Sequence, residues 1–167
     1  LGIDPGLIQT GFGVINISNN KSDLIDYGII KPSVKDNLAN RLFTIFNDIS
    51  KIINDYDPQI FAIEDIFYGK NVKSAMRLGQ ARGASMVAAA SKKIPIYEYS
   101  ARKVKQSITG NGNAHKHQVQ FMVKAKLQMD YFGCLRADHE LPSRSCVSCF
   151  AWHVAYTVYR LPFLCWC

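Results

Sequence analysis

Two short apolar runs that each end in an acid constrain this chain more than any other feature. The segment LGIDPG places Asp4 at the end of the first run, and AIED places Glu64 at the end of the second. If the two runs are neighbouring strands, their carboxylates meet at one edge of a sheet. Paired carboxylate oxygens at such an edge suit a divalent cation lying beside a phosphate.

The two acids differ in how strongly they indicate a site. Asp4 is followed by Pro5 and Gly6, so taken alone it is better explained as a turn cap. Glu64 ends an apolar strand, where an ionised carboxylate is costly unless it is paired or metal-bound. By strand alternation the adjacent Asp65 points to the opposite face, so we expect it to be structural or exposed. The pattern therefore predicts Asp4 and Glu64 as metal ligands.

The periodicity of the apolar residues predicts an α/β fold with helices on both sides of one sheet. Asp36 and Ser100 are the expected N-caps of two of the helices, and Asn19-Asn20 suits a turn between two strands. The predicted strands are 1–4, 12–17, 24–30, 60–64 and 95–100, and the predicted helices are 36–55, 72–91, 100–109 and 114–128.

The charge of the chain points toward a polyanionic partner. The formal net charge is +7 and the pI is about 9.2. No Asp or Glu occurs between Tyr99 and Met129, although this stretch is rich in cations. We interpret it as a phosphate-facing surface, with a solvated helix face as the alternative. Its cationic residues are Arg102, Lys103, Lys105, Lys116, Lys124 and Lys126.

Length and hydropathy argue against a multidomain protein and against a membrane-spanning protein. A chain of 167 residues is about one domain long. No window has the ~18 unbroken apolar residues of a membrane span, and no export signal is visible at the start. We therefore expect a cytoplasmic protein with no membrane partner.

The composition changes near residue 130. All five cysteines and both tryptophans come after it, and Ile, Asn and Lys are absent there. The CxxC pair Cys146 and Cys149 could belong to a zinc site completed by His153, His139 or Cys134. The interpretation that we favour is an out-of-frame or chimeric ending. The predicted organisation is a domain over 1–130 and an atypical tail over 131–167.

Several segments of the chain resemble the RuvC family of bacterial Holliday junction resolvases. They are LGIDPG, AIEDIF, KNVKSAMRLGQARGA, YEYSARKVKQSITGNG and HKHQVQFMV. The resemblance runs from Leu1 to about Gln128, and the LGQARG run is specific to this family. It implies an RNase H-like fold of three layers around a mixed five-stranded sheet. It also implies a homodimer, Mg²⁺ (magnesium) as cofactor, symmetric nicking of branched double-stranded DNA, and work alongside RuvA–RuvB.

The resemblance assigns roles to individual residues. Asp4 and Glu64 match the first two catalytic acids, and residues 78–84 match the dimer-forming helix. Phe67 matches an aromatic residue that stacks on an unpaired base near the crossover, with core packing as the alternative. The residues expected to contact DNA are Phe67, Arg102, Lys105, Gly110, Gly112 and Lys116.

The chain departs from the family pattern in its last catalytic helix. The family carries two acids, or a His and an acid, three residues apart on one helix face. Here Asp138 follows Ala137 as in that motif and is the candidate third catalytic residue, but Leu141 stands three residues on. Pro142 would also end a helix. A shift of reading frame between about 128 and 133 would explain this loss.

Three functions remain open on the sequence. The first is a junction-specific endonuclease, and the second is a protein that binds junctions with weak or no cleavage. The third is a sugar kinase-like ATPase, which shares the wider superfamily's first strand. That class needs a second phosphate loop, which the sequence does not contain.

Overall fold

The computed structural model describes residues 1–19, 21–65 and 72–127, which form a five-stranded sheet and four helices. The strands are β1 (Gly2–Asp4), β2 (Thr10–Ser18), β3 (Lys21–Ile30), β4 (Phe61–Glu64) and β5 (Ile96–Tyr99). The helices are α1 (Leu38–Tyr56), α2 (Val72–Ser91), α3 (Ala101–Thr109) and α4 (Lys116–Leu127).

The sheet is mixed, with strand order β3-β2-β1-β4-β5. The first three strands are an antiparallel meander, in which Asn19 takes up the tight turn with a φ of 48°. β4 lies parallel to both β1 and β5. The α/β sheet with helices on both faces is therefore as predicted. The parallel pairing matters for the site, because β1 and β4 end at the same edge.

Strand alternation gives the sheet two different faces. Ile3 and Ile63 point to one face, where they join a buried cluster with Ile45 and Ile49 of α1 and with alanines of α2. We call this the α1–α2 face. The other side, the α3–α4 face, is covered by a smaller cluster around Val104 of α3 and several residues of α4. Residues next to Ile3 and Ile63 in the chain point to this second face.

Helix boundaries follow from their caps, with one correction. The N-cap of α1 is Asn37, whose Oδ1 accepts a hydrogen bond from the Asn40 backbone at 2.9 Å. The prediction of Asp36 was wrong because its backbone N–H donates to Ser33 and so belongs to the preceding turn. Ser100 caps α3 as predicted, accepting from the Lys103 backbone at 3.4 Å.

Part of the sequence prediction lies outside the described residues. This part contains Phe67, Asp138, and the proposed tail over 131–167 with its boundary to the first domain. Each of these therefore stays a prediction. Within the described ranges, none of the helices combines the length and the apolarity that crossing a bilayer requires.

Candidate active site

The parallel pair β1 and β4 brings Asp4 and Glu64 together. Gly2 pairs with Ala62 and Ile3 with Ile63, so the next residues in register are the two acids. Both are the last residues of their strands, and alternation directs both toward the α3–α4 face. A side-chain hydrogen bond joins the two carboxyl groups. The geometry that the sequence predicts for these two residues is present.

The environment of Glu64 strongly favours its protonated form. The pKa of the Glu64 carboxyl is raised from 4.5 to about 8, chiefly by burial and further by the charge of Asp4 and the hydrogen bond between the two carboxyls. The Lys105 ammonium acts in the opposite direction. A proton therefore sits on Glu64 near neutral pH. A cation placed between the carboxyls would take the place of that proton and relieve the repulsion.

The donor set fits a hard divalent cation. Mg²⁺ is commonly bound by one or two carboxylates, with water and substrate phosphate filling the other positions. Asp4 and Glu64 supply such a pair. Within the parts of the chain that the structure describes, no group of three or more His, Cys, Asp or Glu residues could hold a metal. Protein ligands beyond these two acids would have to come from residues outside that part.

A rigid loop follows the first acid. Thr10 is fully buried, and its Oγ1 donates to the carbonyl of Gly6 at 2.8 Å and accepts from the Gly6 backbone N–H at 3.2 Å. Arg41 of α1 donates to the carbonyl of Leu7 at 2.5 Å. These contacts hold the chain as it leaves Asp4, so the carboxylate is presented from a fixed backbone. Sequence reasoning missed Thr10 and Arg41, because neither belongs to a recognisable motif.

A second charged group lies behind Glu64, on the α1–α2 face. Arg82 of α2 donates from Nε to the backbone carbonyl of Glu64 at 3.2 Å. Its Nη2 is paired with Glu98 and lies 4.0 Å from Asp65. The Asp65 side chain is 56% exposed and on the opposite side of β4 from the Glu64 carboxyl, as predicted. Sequence reasoning gave Arg82 no role of its own.

The predicted DNA-contacting residues lie on α3, on α4 and on the loop that joins them. Lys105 of α3 is half-buried and close enough to influence the Glu64 carboxyl. Arg102 and Lys116 are exposed. Gly110 ends α3 with a φ of 74°, and any side chain at Gly112 would meet Arg102. Of this group, Lys105 is the residue whose charge acts on the Glu64 carboxyl.

Comparison with known proteins agrees with these features. The family model "Crossover junction endodeoxyribonuclease RuvC" matches residues 1–132. The chain belongs to the RuvC family. A relative from Saccharophagus degradans, which carries the same name, is 48% identical over 129 residues, covering 77% of this chain and 75% of that protein. The predicted family, and with it the enzyme class crossover junction endodeoxyribonuclease at the family level, is confirmed. RuvC nucleases depend on a divalent metal, to which the carboxyl pair is suited.

Solved structures of the family share the fold. Thermus thermophilus RuvC superposes with a TM-score of 0.78 at 28% identity, covering 95% of this chain and 92% of that chain. The same protein in complex with Holliday junction substrate gives a TM-score of 0.79, with the same identity and coverage. The predicted RNase H-like architecture is therefore confirmed.

Proposed function

We propose that this chain is an endonuclease that resolves four-way DNA junctions, with Asp4 and Glu64 holding Mg²⁺. The observation that carries the proposal is the carboxyl pair at the ends of β1 and β4, which is buried enough to keep a proton on Glu64. A half-buried acid pair without a partner cation is unfavourable for folding. Its presence at the ends of two inner strands is best explained by a ligand that needs both carboxyls.

The reaction is hydrolysis of a DNA phosphodiester to a 5′ phosphate and a 3′ hydroxyl. Bound Mg²⁺ would supply Lewis-acid stabilisation of the phosphoryl oxygens and make the attacking water more acidic. Asp4 and Glu64 would hold the cation through their carboxylate oxygens, and Glu64 would have to be deprotonated to do so. Lys105 contributes positive charge on the same face, where negative charge builds up on the phosphate.

The basic α3–α4 face supports DNA as the substrate. Phosphate contacts supply most of the affinity of such proteins and also fix their position on the duplex. The related Thermus thermophilus protein has been solved with a Holliday junction substrate, which supports branched DNA in particular. Cooperation with RuvA–RuvB in the cytoplasm is part of the same proposal. The exposed cations of α3 and α4 are Arg102, Lys103, Lys116 and Lys126.

The proposal includes a homodimer formed through α2. Met76 and Val87 are 63% and 58% exposed, although both are apolar. Gly83 and Ala90 are also exposed, and the spacing of the four residues places them on one stripe of the helix. Small residues at such a stripe allow a second helix to approach closely. Nothing lies within 4 Å of a Cβ built on Gly83, so a side chain there is compatible with the folded monomer.

Gly83 therefore offers a clean test of the dimer. Analytical ultracentrifugation of the unaltered chain should give twice the monomer mass, whereas Gly83→Lys should give a folded monomer. Lys73→Ala, on an exposed position of the same helix, is the control and should leave the mass unchanged. A monomeric unaltered chain, or a dimeric Gly83→Lys variant, would contradict this part of the proposal.

A second candidate is a protein that binds junctions and cuts them weakly or not at all. Two observations favour it. The family match ends at residue 132, before Asp138. In addition, the residues that the structure describes contain no cluster of three metal-binding side chains. The two candidates share the fold and the basic face, and they differ in catalytic competence.

One experiment separates the two candidates. The chain is mixed with a synthetic four-way junction, with and without Mg²⁺, and is followed by native and denaturing gels. The nuclease predicts paired nicks that require Mg²⁺ and disappear in Asp4→Asn and Glu64→Gln, while Asp55→Asn at the exposed end of α1 leaves them intact. Retarded mobility without nicks would favour the binding protein. The absence of both would reject the two candidates together.

A further inference from the structure

The Arg82 side chain joins three elements behind the carboxyl pair. Although it is charged, its side chain is only 16% exposed. It starts from α2, donates to the Glu64 carbonyl at the end of β4, and pairs with Glu98 on β5. A buried guanidinium is retained at a cost unless its donors are used. The contact with a backbone carbonyl is the informative one, because backbone groups within a sheet usually find their partners in the sheet.

The β1–β4 ladder explains why this carbonyl needs another donor. The Ala62 N–H donates to the Leu1 carbonyl at 2.8 Å, so Ala62 faces β1. Two residues further on, Glu64 faces β1 in the same way. In the observed register, the N–H that would donate to the Glu64 carbonyl is that of residue 5. Residue 5 is a proline, which has no N–H.

We propose that Arg82 is a positioning residue that takes the place of the missing Pro5 N–H. The Nε donor satisfies the last carbonyl of β4, and the Glu98 pair fixes the guanidinium in that position. The strand end that carries Glu64 is thereby held in register with β1 and Asp4. The inference rests on the proposed function for what Glu64 does, whereas the backbone argument is independent of it.

A double-mutant cycle tests whether the Arg82 guanidinium takes the place of the missing N–H of Pro5. Arg82→Met removes the guanidinium and keeps much of the apolar stem. Pro5→Ala restores a backbone N–H at residue 5. If Arg82 compensates for the proline, the alanine should make Arg82 less necessary, so the effects of the two changes should not add. Arg77→Met, on an exposed position of α2, is the matched control.

The first measurement is Mn²⁺ binding to the folded, DNA-free chain by isothermal titration calorimetry. Loss of a group that orients a metal ligand typically weakens affinity by 10–100-fold, so we expect about a tenfold loss in Arg82→Met. Pro5→Ala alone should change affinity by less than about threefold, and the double variant should return to within about threefold of the unaltered chain. Arg77→Met should bind like the unaltered chain. Circular dichroism establishes that each variant is folded.

Additive effects, or no loss of affinity in Arg82→Met, would overturn the proposal. A second measurement keeps it testable if the unaltered chain takes up no Mn²⁺, a result that would reject the proposed function instead. The Asp65 N–H donates to the Tyr99 carbonyl at 2.7 Å just beyond the strand end. Its hydrogen exchange should accelerate in Arg82→Met and slow again in the double variant. Unchanged exchange in Arg82→Met would reject the positioning role with or without a metal.

Discussion

The two faces of the five-stranded sheet differ in the residues that they carry. The α1–α2 face is filled with large side chains that are fully buried, among them Ile45, Ile49 and Phe61. The α3–α4 face has a smaller cluster, and it also carries two acids and a set of cations. Strand alternation makes this division possible, because adjacent residues such as Ile63 and Glu64 point to opposite sides. The α1–α2 face mainly stabilises the fold, whereas the α3–α4 face carries the charged residues that suit a cation and a phosphate.

The largest expected effect is on the stability of the α1–α2 face. Phe61 is completely buried in its cluster, so Phe61→Ala should lower the free energy of unfolding by about 3–5 kcal/mol. Val119→Ala, at a fully buried position on the α3–α4 face, removes less volume and should cost roughly half as much. Urea unfolding of both variants measures the difference. Equal losses would mean that the larger side chains of the α1–α2 face do not contribute more to stability than the smaller ones of the α3–α4 face.

The second effect concerns the pH dependence that the carboxyl pair imposes. Because the pKa of Glu64 rises from 4.5 to about 8 on folding, the folded chain retains a proton that the unfolded chain loses. Stability should therefore fall as pH rises through this window, and Glu64→Gln should remove that dependence.

Above pH 8, in the absence of divalent cations, Glu64→Gln should be more stable than the unaltered chain, because only the unaltered chain then carries a second carboxylate charge beside Asp4. Below pH 4.5 the two should be nearly equal. Thermal unfolding across this range is the measurement, and Asp55→Asn serves as the control. Parallel pH profiles for Glu64→Gln and the unaltered chain would show that Glu64 is not the group responsible.

The third effect compares cations on the two faces. Lys116 begins α4 on the basic face, whereas Lys51 lies on α1 on the other side of the sheet, and both are exposed. Lys116→Ala should reduce the slope of log affinity for a junction against log salt concentration by about one. Lys51→Ala should leave that slope unchanged. The basic face would lose its assigned role if both variants behaved alike.

The smallest effect compares the helix caps. Asn37 accepts its capping bond at 2.9 Å and Ser100 at 3.4 Å, so the first cap is the stronger. Asn37→Ala should cost about 1 kcal/mol of unfolding free energy, and Ser100→Ala about 0.5 kcal/mol. Chemical denaturation can resolve the two. A reversed order would mean that the caps do not follow their hydrogen-bond lengths.

The sequence predicts the elements of this fold well because most of them carry a strong local signal. The apolar spacing of α1, the turn at Asn19 and the cap at Ser100 are each decided by a few neighbouring residues. The meeting of Asp4 and Glu64 is also predictable, since each ends an apolar run. The cap of α1 was assigned one residue early, because Asp36 and Asn37 are both good caps and only the preceding turn distinguishes them.

The contacts that support the site could not be predicted in this way. Arg82 reaches a carbonyl 18 residues away in the chain, and Arg41 reaches one 34 residues away. Neither arginine stands in a pattern that indicates its partner. Their roles depend on which backbone groups the sheet leaves without a donor, and this follows from strand register. In the sequence Pro5 indicates only the end of a strand, and its missing N–H becomes informative only once β4 is known to lie beside it.

The most direct test of the central claim is a crystal of the chain soaked with Mn²⁺ and measured at the manganese absorption edge. We expect an anomalous peak within coordination distance of carboxylate oxygens of both Asp4 and Glu64, on the α3–α4 face of the sheet. A peak bound elsewhere, or a fully occupied site that leaves Glu64 uncoordinated, would contradict it.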